Sequence, residues 1–76
     1  MKAIETKYHG PTDTRGSRFS ACDSDGNRVS VSYDYALNSE DNHRAAAEAL
    51  KAKMGWDGEL IGGSTKRGMV WVFAEK

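Results

Sequence analysis

Apolar and polar residues alternate in the first half of the chain, which is the pattern of half-buried β-strands. Residues 17–23 and 27–35 alternate in this way around a turn-forming segment, and residues 2–8 do so before them. In the first of these strands one face carries Ile4, Thr6 and Tyr8, and the other carries Glu5 and Lys7. The pattern therefore predicts three consecutive antiparallel strands.

The length of the turn between the second and third strands sets their register. A two-residue turn at residues 25 and 26 mixes apolar and polar side chains on each face. A three-residue turn over residues 24–26, with Gly26 in a left-handed conformation, separates them. The apolar pairs are then Phe19 with Val31 and Ala21 with Val29. The opposite, solvated face carries Arg18, Ser20, Cys22, Arg28, Ser30 and Ser32.

A helix is predicted over residues 40–54. Ser39 is a suitable N-cap, acidic residues follow it, and Gly55 is a suitable left-handed stop. Trp56 is placed to fold back on the last turn. The core-facing stripe of small residues consists of Ala46, Ala47, Leu50 and Met54. Such a narrow stripe lets a helix lie close to a sheet but buries little area, so aromatic residues have to complete the core.

The remaining residues predict a second hairpin with strands at 59–62 and 69–74. The last strand is apolar on both faces, with Met69, Trp71 and Phe73 on one side and Val70, Val72 and Ala74 on the other. The expected fold class is α+β: a five-stranded antiparallel sheet, with the elements in the order β-β-β-α-β-β and one helix packed on one face. Residues 1–76 form a single small domain.

The composition limits the classes of function. The chain has 76 residues, with 11 basic and 11 acidic side chains that cancel, so its net charge favours neither a nucleic-acid coat nor an acidic mimic. Cys22 is the only cysteine, which excludes an intrachain disulfide and fits a reducing compartment. No apolar stretch has the length of a signal or membrane segment. We therefore expect a cytoplasmic protein of a bacterial host, with no membrane association.

Catalytic and metal-binding patterns are sparse. His43 has no second histidine at helical spacing, and Cys22 has no nucleophile signature, so both are interpreted as structural or solvated. Residues 23–27 resemble a calcium loop but lack the later glutamate. The segment GGSTKRG lacks the spacing of a phosphate-binding loop. The sequence thus predicts a protein that is not an enzyme and has no metal or cofactor site.

The apolar last strand raises the question of what covers its second face. Loop residues and Trp56 can close over it, or the small Val70 and Val72 can be tolerated at the surface. Alternatively, a second copy or a partner protein covers it, which contributes about 25 cal/mol for each Å² removed from water. We expect a homodimer formed by pairing of last strands or of sheet faces. The substitution Trp71→Asp or Val72→Asp is expected to dissociate this homodimer or to unfold the chain.

Basic residues are the remaining candidates for binding. Arg18 and Arg28 lie on the solvated face of the first hairpin, Arg15 lies in the turn-prone loop over residues 10–16, and Lys66 and Arg67 lie in the second hairpin. These residues are either ordinary solubilising charges or a basic sheet face and hairpin tip that contact nucleic acid. The loop is likewise either a connector or an interaction loop that presents Arg15.

Several segments resemble a group of small, mostly uncharacterised proteins of bacteriophages and other mobile elements: MKAIETKYHGPTDTRGSR, YDYAL, HRAAAEAL, and GWDGELIGG before an aromatic strand. The resemblance covers nearly the whole chain and attaches no activity to a residue. It implies an accessory protein that binds and inhibits or modulates a host protein complex, as anti-CRISPR proteins do. The alternative is a small nucleic-acid-binding regulator. The predicted partner-binding residues are Arg15, Arg18, Arg28, Lys66, Arg67 and Trp71.

Overall fold

The computed structural model describes residues 3–11, 16–66 and 68–74. Its elements, in chain order, are β1 (Ala3–His9), β2 (Arg18–Asp23), β3 (Arg28–Ser32), α1 (Ser39–Met54), β4 (Leu60–Ser64) and β5 (Met69–Phe73). All neighbouring strands are antiparallel, and the order across the sheet is β3-β2-β1-β5-β4. The predicted α+β class and the predicted order of elements along the chain are both confirmed.

The β2–β3 hairpin has the predicted register and turn. Phe19 pairs with Val31, and Gly26 has a φ of 92°, which a glycine adopts without a steric penalty. The Asp23 carboxylate accepts hydrogen bonds of 2.9 Å from the backbone N–H of Asp25 and from both the backbone and the side chain of Asn27. The first acidic side chain of the segment that resembles a calcium loop is thus occupied in holding the turn.

Strand β3 ends at Ser32, so the prediction that it continues to residue 35 is wrong. The chain leaves the sheet there because Asn42 of α1 binds the backbone of the next segment. Its Oδ1 accepts from the N–H of Asp34 at 2.9 Å, and its Nδ2 donates to the carbonyls of Asp34, Leu37 and Asn38. A buried amide on the helix therefore fixes the connection between sheet and helix.

The helix covers the predicted span, but its N-cap is Asn38 and not Ser39. The Asn38 Oδ1 accepts from the backbone N–H of Asp41 at 2.8 Å, whereas Ser39 is already the first helical residue. Gly55 ends the helix with φ 71°, as predicted, and the N–H of Trp56 bonds the carbonyl of Lys51 at 3.0 Å. No described helix is both long and apolar enough to cross a membrane.

One face of the sheet packs against α1, which lies mainly over β1, β2 and β3. The core consists of Ile4, Phe19, Ala21, Ala46, Ala47, Leu50, Leu60, Met69 and Trp71. Trp56 packs edge-on against Phe73 at 6.0 Å between ring centroids and covers part of the β5 side of this core. The small-residue stripe and the supporting aromatic residues are thus arranged as the sequence predicts.

The loop of the β4–β5 hairpin is shorter than predicted, because β4 continues through Gly62 and Gly63 to Ser64. The Trp71 indole lies against Gly62, and a Cβ on that glycine would come within 2.7 Å of ring atom Cη2. Strand β5 is hydrogen-bonded to β1 on one side and to β4 on the other. A dimer by pairing of last strands is therefore excluded, since β5 has no free edge.

Candidate binding surface

The face of the sheet opposite α1 is here called the open face, because no described helix or strand lies over it. Strand alternation places on it the odd-numbered residues of β1, the even-numbered residues of β2, β3 and β5, and Ile61 and Gly63 of β4. The predicted solvated face of the first hairpin is part of it. In β3, the residues on the open face are Arg28, Ser30 and Ser32.

Apolar residues occupy the β5–β4 end of the open face. We name Ala3, Ile61, Val70 and Val72 the apolar strip. Val72 pairs with Ala3 on one side and with Ile61 on the other, and Val70 lies one row away. Ile61 is 57% exposed, and the two valines and Ala3 are partly exposed. The second face of β5 is therefore not closed by a described element of the chain.

Basic side chains gather at the β1–β2–β3 end of the same face. We name Lys7, His9, Arg18 and Arg28 the basic cluster. His9 Nε2 lies 2.8 Å from the Oγ of Ser20. Partial burial lowers the pKa of His9, and the nearby positive charges of Arg18, Arg28 and Lys7 lower it further. The ring is therefore surrounded by positive potential in a chain whose formal net charge is zero.

Arg28 and Arg18 of the basic cluster differ in their hydrogen bonding. The Nζ of Lys53, in the last turn of α1, donates to the carbonyl of Arg28 at 2.8 Å, which adds a further cation beside β3. The Nη1 of Arg18 is buried and has no hydrogen-bond partner among the described residues.

The predicted partner-binding residues are only partly brought together. Arg18 and Arg28 share the open face, and Lys66 is exposed in the turn after β4. Arg15 and Arg67 lie outside the described residues. Trp71 is 1% exposed, so its side chain is part of the core and not of a surface.

Sequence reasoning missed two members of the basic cluster, Lys7 and His9. Lys7 pairs with Ser20, and His9 pairs with Arg18, because β1 is the neighbour of β2. The alternation of β1 already places Lys7 away from the core, so the signal was present. The pairing of the two strands was the missing information.

Inside the core, Trp71 belongs to a polar chain with Thr6 and His43. The indole Nε1 donates to the Thr6 hydroxyl at 3.1 Å, and that oxygen lies 2.8 Å from Nδ1 of His43. Burial lowers the pKa of His43, so the buried ring favours its neutral form. Arg44 places its guanidinium 4.8 Å from the indole centroid on the outside. These contacts hold the indole in place.

The described residues form no cleft, and no three histidine, cysteine or acidic side chains gather among them as metal ligands do. Cys22 is a free, partly buried thiol on the open face, in register with Glu5 and Arg28. The surface thus offers apolar contact, charge and hydroxyl groups over a broad sheet face. This arrangement suits binding to another surface.

Comparison with protein families, with curated proteins and with solved structures found no match to this chain.

Proposed function

We propose that the chain is a non-enzymatic accessory protein that binds a host protein complex through the open face and so inhibits or modulates it. The observation that carries this proposal is the apolar strip lying beside the basic cluster on one uncovered sheet face. Protein interfaces commonly combine a desolvated apolar centre with a polar rim. The partner we expect therefore presents apolar side chains bordered by carboxylates.

The two parts of the face have different roles in this proposal. Burial of the apolar strip supplies affinity, at about 25 cal/mol for each Å² removed from water. The basic cluster accelerates encounter with an acidic surface and selects against basic ones. Because Ile61 is 57% exposed, it has more area to lose on binding than the partly covered valines.

Capture from bacterial lysates, followed by mass spectrometry, tests the proposal with a matched pair of variants. Val72→Lys places a charge in the apolar strip, and Ala52→Lys adds the same charge at an exposed position of α1. The wild type and Ala52→Lys should retain the same host protein in stoichiometric amount, and Val72→Lys should lose it while keeping its circular dichroism spectrum. Equal retention by both variants, or capture of nothing from any host lysate, contradicts the proposal.

A nucleic-acid-binding regulator is the second candidate, and the basic cluster is the observation that favours it. Lys7, Arg18 and Arg28 lie on one face, and the hydroxyls of Ser20 and Ser30 lie on the same face. Phosphate contacts from three cations give a log–log salt slope of about −2.7, so binding weakens about 40-fold between about 50 mM and 200 mM salt.

Titration of labelled duplex DNA at these two salt concentrations separates the candidates. If the chain binds DNA, if the binding weakens steeply with salt, and if Arg28→Gln weakens it further, the nucleic-acid-binding function is supported. A lack of binding at the lower salt concentration eliminates it. Glu48→Gln, which alters charge on α1, is the control variant.

A further inference from the structure

The two edges of the sheet differ in how they are protected. An exposed edge strand offers unpaired N–H and C=O groups to other strands, and proteins usually block it with charge, proline or a bulge. At the β3 edge, Arg28 provides charge and its carbonyl accepts from Lys53 Nζ at 2.8 Å. At the β4 edge, the strand sequence LIGGS contains neither a charged residue nor a proline.

The hydrogen-bond pattern shows which groups of β4 point away from the sheet. The carbonyl of Glu59 accepts from Ala74, and the N–H of Thr65 donates to Gly68, so the odd-numbered residues bond β5. Pairs alternate along an antiparallel ladder, and the backbone groups of Leu60, Gly62 and Ser64 therefore face the free edge. Arg44 Nη1 reaches the Leu60 carbonyl only at 3.5 Å, and that oxygen retains a second lone pair.

We propose that β4 pairs antiparallel with β4 of a second copy of this chain, about a two-fold axis at Gly62. This register pairs Gly62 with its counterpart and Leu60 with Ser64 of the second copy, so all three outward-facing residues are used. About six backbone hydrogen bonds form, two for each pair. The contact is isologous, because each chain contributes the same strand.

Side chains along β4 fit this register. Ile61 lies opposite Gly63 of the second copy, in a pair without hydrogen bonds where the Cα atoms approach to about 4.5 Å. Nothing lies within 4 Å of where a Cβ on Gly63 would be, so the space for the exposed isoleucine exists. The acidic Glu59 at one end of β4 approaches the end that carries Lys66 in the second copy, so opposite charges meet.

The pairing also extends the open face. Two apolar strips become continuous across the joined sheets, because Ile61 and Gly63 stand between Val72 of one chain and Val70 of the other. The dimer itself goes beyond the proposed function and does not require it. A partner that binds the open face would meet a strip of twice the length.

The experiment measures molar mass by light scattering over a range of protein concentration. We expect twice the 8.3 kDa chain mass. Ser64→Pro removes an outward N–H, and Ile61→Lys places charge at the junction; each should raise the dimer dissociation constant about tenfold or more. Ser30→Pro and Ser30→Lys are the matched controls, because the backbone of Ser30 faces the free edge of β3, and they should leave the mass unchanged.

Amide hydrogen exchange supplies a second measurement. In the dimer the N–H groups of Leu60, Gly62 and Ser64 should exchange as slowly as those of Ile61 and Gly63, and dilution should accelerate only the former. A monomer mass at every concentration overturns the proposal. So does a dimer that survives Ser64→Pro and Ile61→Lys, or one with fast exchange at the three outward residues.

The same variants separate this proposal from the proposed function. Ser64→Pro leaves Val70 and Val72 unchanged, so a monomeric Ser64→Pro variant that still captures the host protein shows that the open face works without the dimer. A dimer that captures nothing contradicts the proposed function alone.

Discussion

Two adjacent glycines of β4 provide a matched test of how the edge strand packs on the core. A Cβ on Gly62 would come within 2.7 Å of the Trp71 indole, and a Cβ on Gly63 would meet nothing within 4 Å. Carbon atoms prefer separations of about 3.5–4.0 Å, so Gly62→Ala creates an overlap of about 1 Å. Gly63→Ala creates none, although both substitutions add one methyl group to neighbouring residues of the same strand.

The indole cannot relieve this overlap cheaply. Its Nε1 donates to Thr6 at 3.1 Å, its outer face carries the Arg44 guanidinium, and its side chain is 1% exposed. The edge strand therefore has to move, at a cost of about 1–3 kcal/mol in the free energy of unfolding. Gly63→Ala should instead stabilise the chain by about 0.4–1 kcal/mol, because it restricts the unfolded state.

Urea denaturation of both variants at the same chain concentration measures the difference. Thermal unfolding should show it as a lower melting temperature for Gly62→Ala, by about 4–8 °C for each kcal/mol lost. If Gly62→Ala is as stable as Gly63→Ala, the indole does not lie against β4 as described. A shared loss of stability would instead point to a general requirement for glycine in this strand.

Three further predictions concern the helix and the buried polar chain. The lowered pKa of His43 means that this ring binds fewer protons in the folded chain than in the unfolded chain below about pH 6.5. The contribution of His43 to stability should therefore be constant above about pH 6.5 and should fall as the pH drops from there toward the folded pKa. His43→Gln should flatten part of that fall in urea titrations. Asn38→Ala should cost about 1 kcal/mol, whereas Ser39→Ala should cost little, and denaturation midpoints should rank them so. Thr6→Val should cost about 1–3 kcal/mol, because it leaves the Trp71 N–H buried without an acceptor, and Thr6→Ser should restore most of it.

Local patterns in the sequence were sufficient for the elements and for one hairpin register. The three-residue turn follows from the alternation of apolar side chains together with a glycine at the left-handed position, and both are local. The N-cap was misplaced by one residue because Asn38 and Ser39 are both good caps. Only the position of the Asp41 N–H, 2.8 Å from the Asn38 side chain, decides between them.

Long-range contacts account for what the sequence did not predict. Strand β4 extends through its glycines, and the absence of a side chain at Gly62 leaves the space that the Trp71 indole of the next strand occupies. Trp71 was assigned to a surface because strand alternation identifies two faces without saying which one the helix covers. Lys7 and His9 joined the basic cluster only once β1 was paired with β2. These are contacts between distant segments, which no local pattern contains.

The position of β1 in the middle of the sheet has a consequence for how the molecule can be divided. Its first residues pair with the last strand, Ile4 opposite Trp71, although Trp71 comes 67 positions later in the chain. A break at the exposed Asp57 would leave β1, β2, β3 and α1 on one fragment and the β4–β5 hairpin on the other. The second fragment carries the indole that fills the core of the first, together with the backbone groups that complete its ladder. The chain is therefore suited to use as a split reporter, whose halves associate when two fused proteins bring them together.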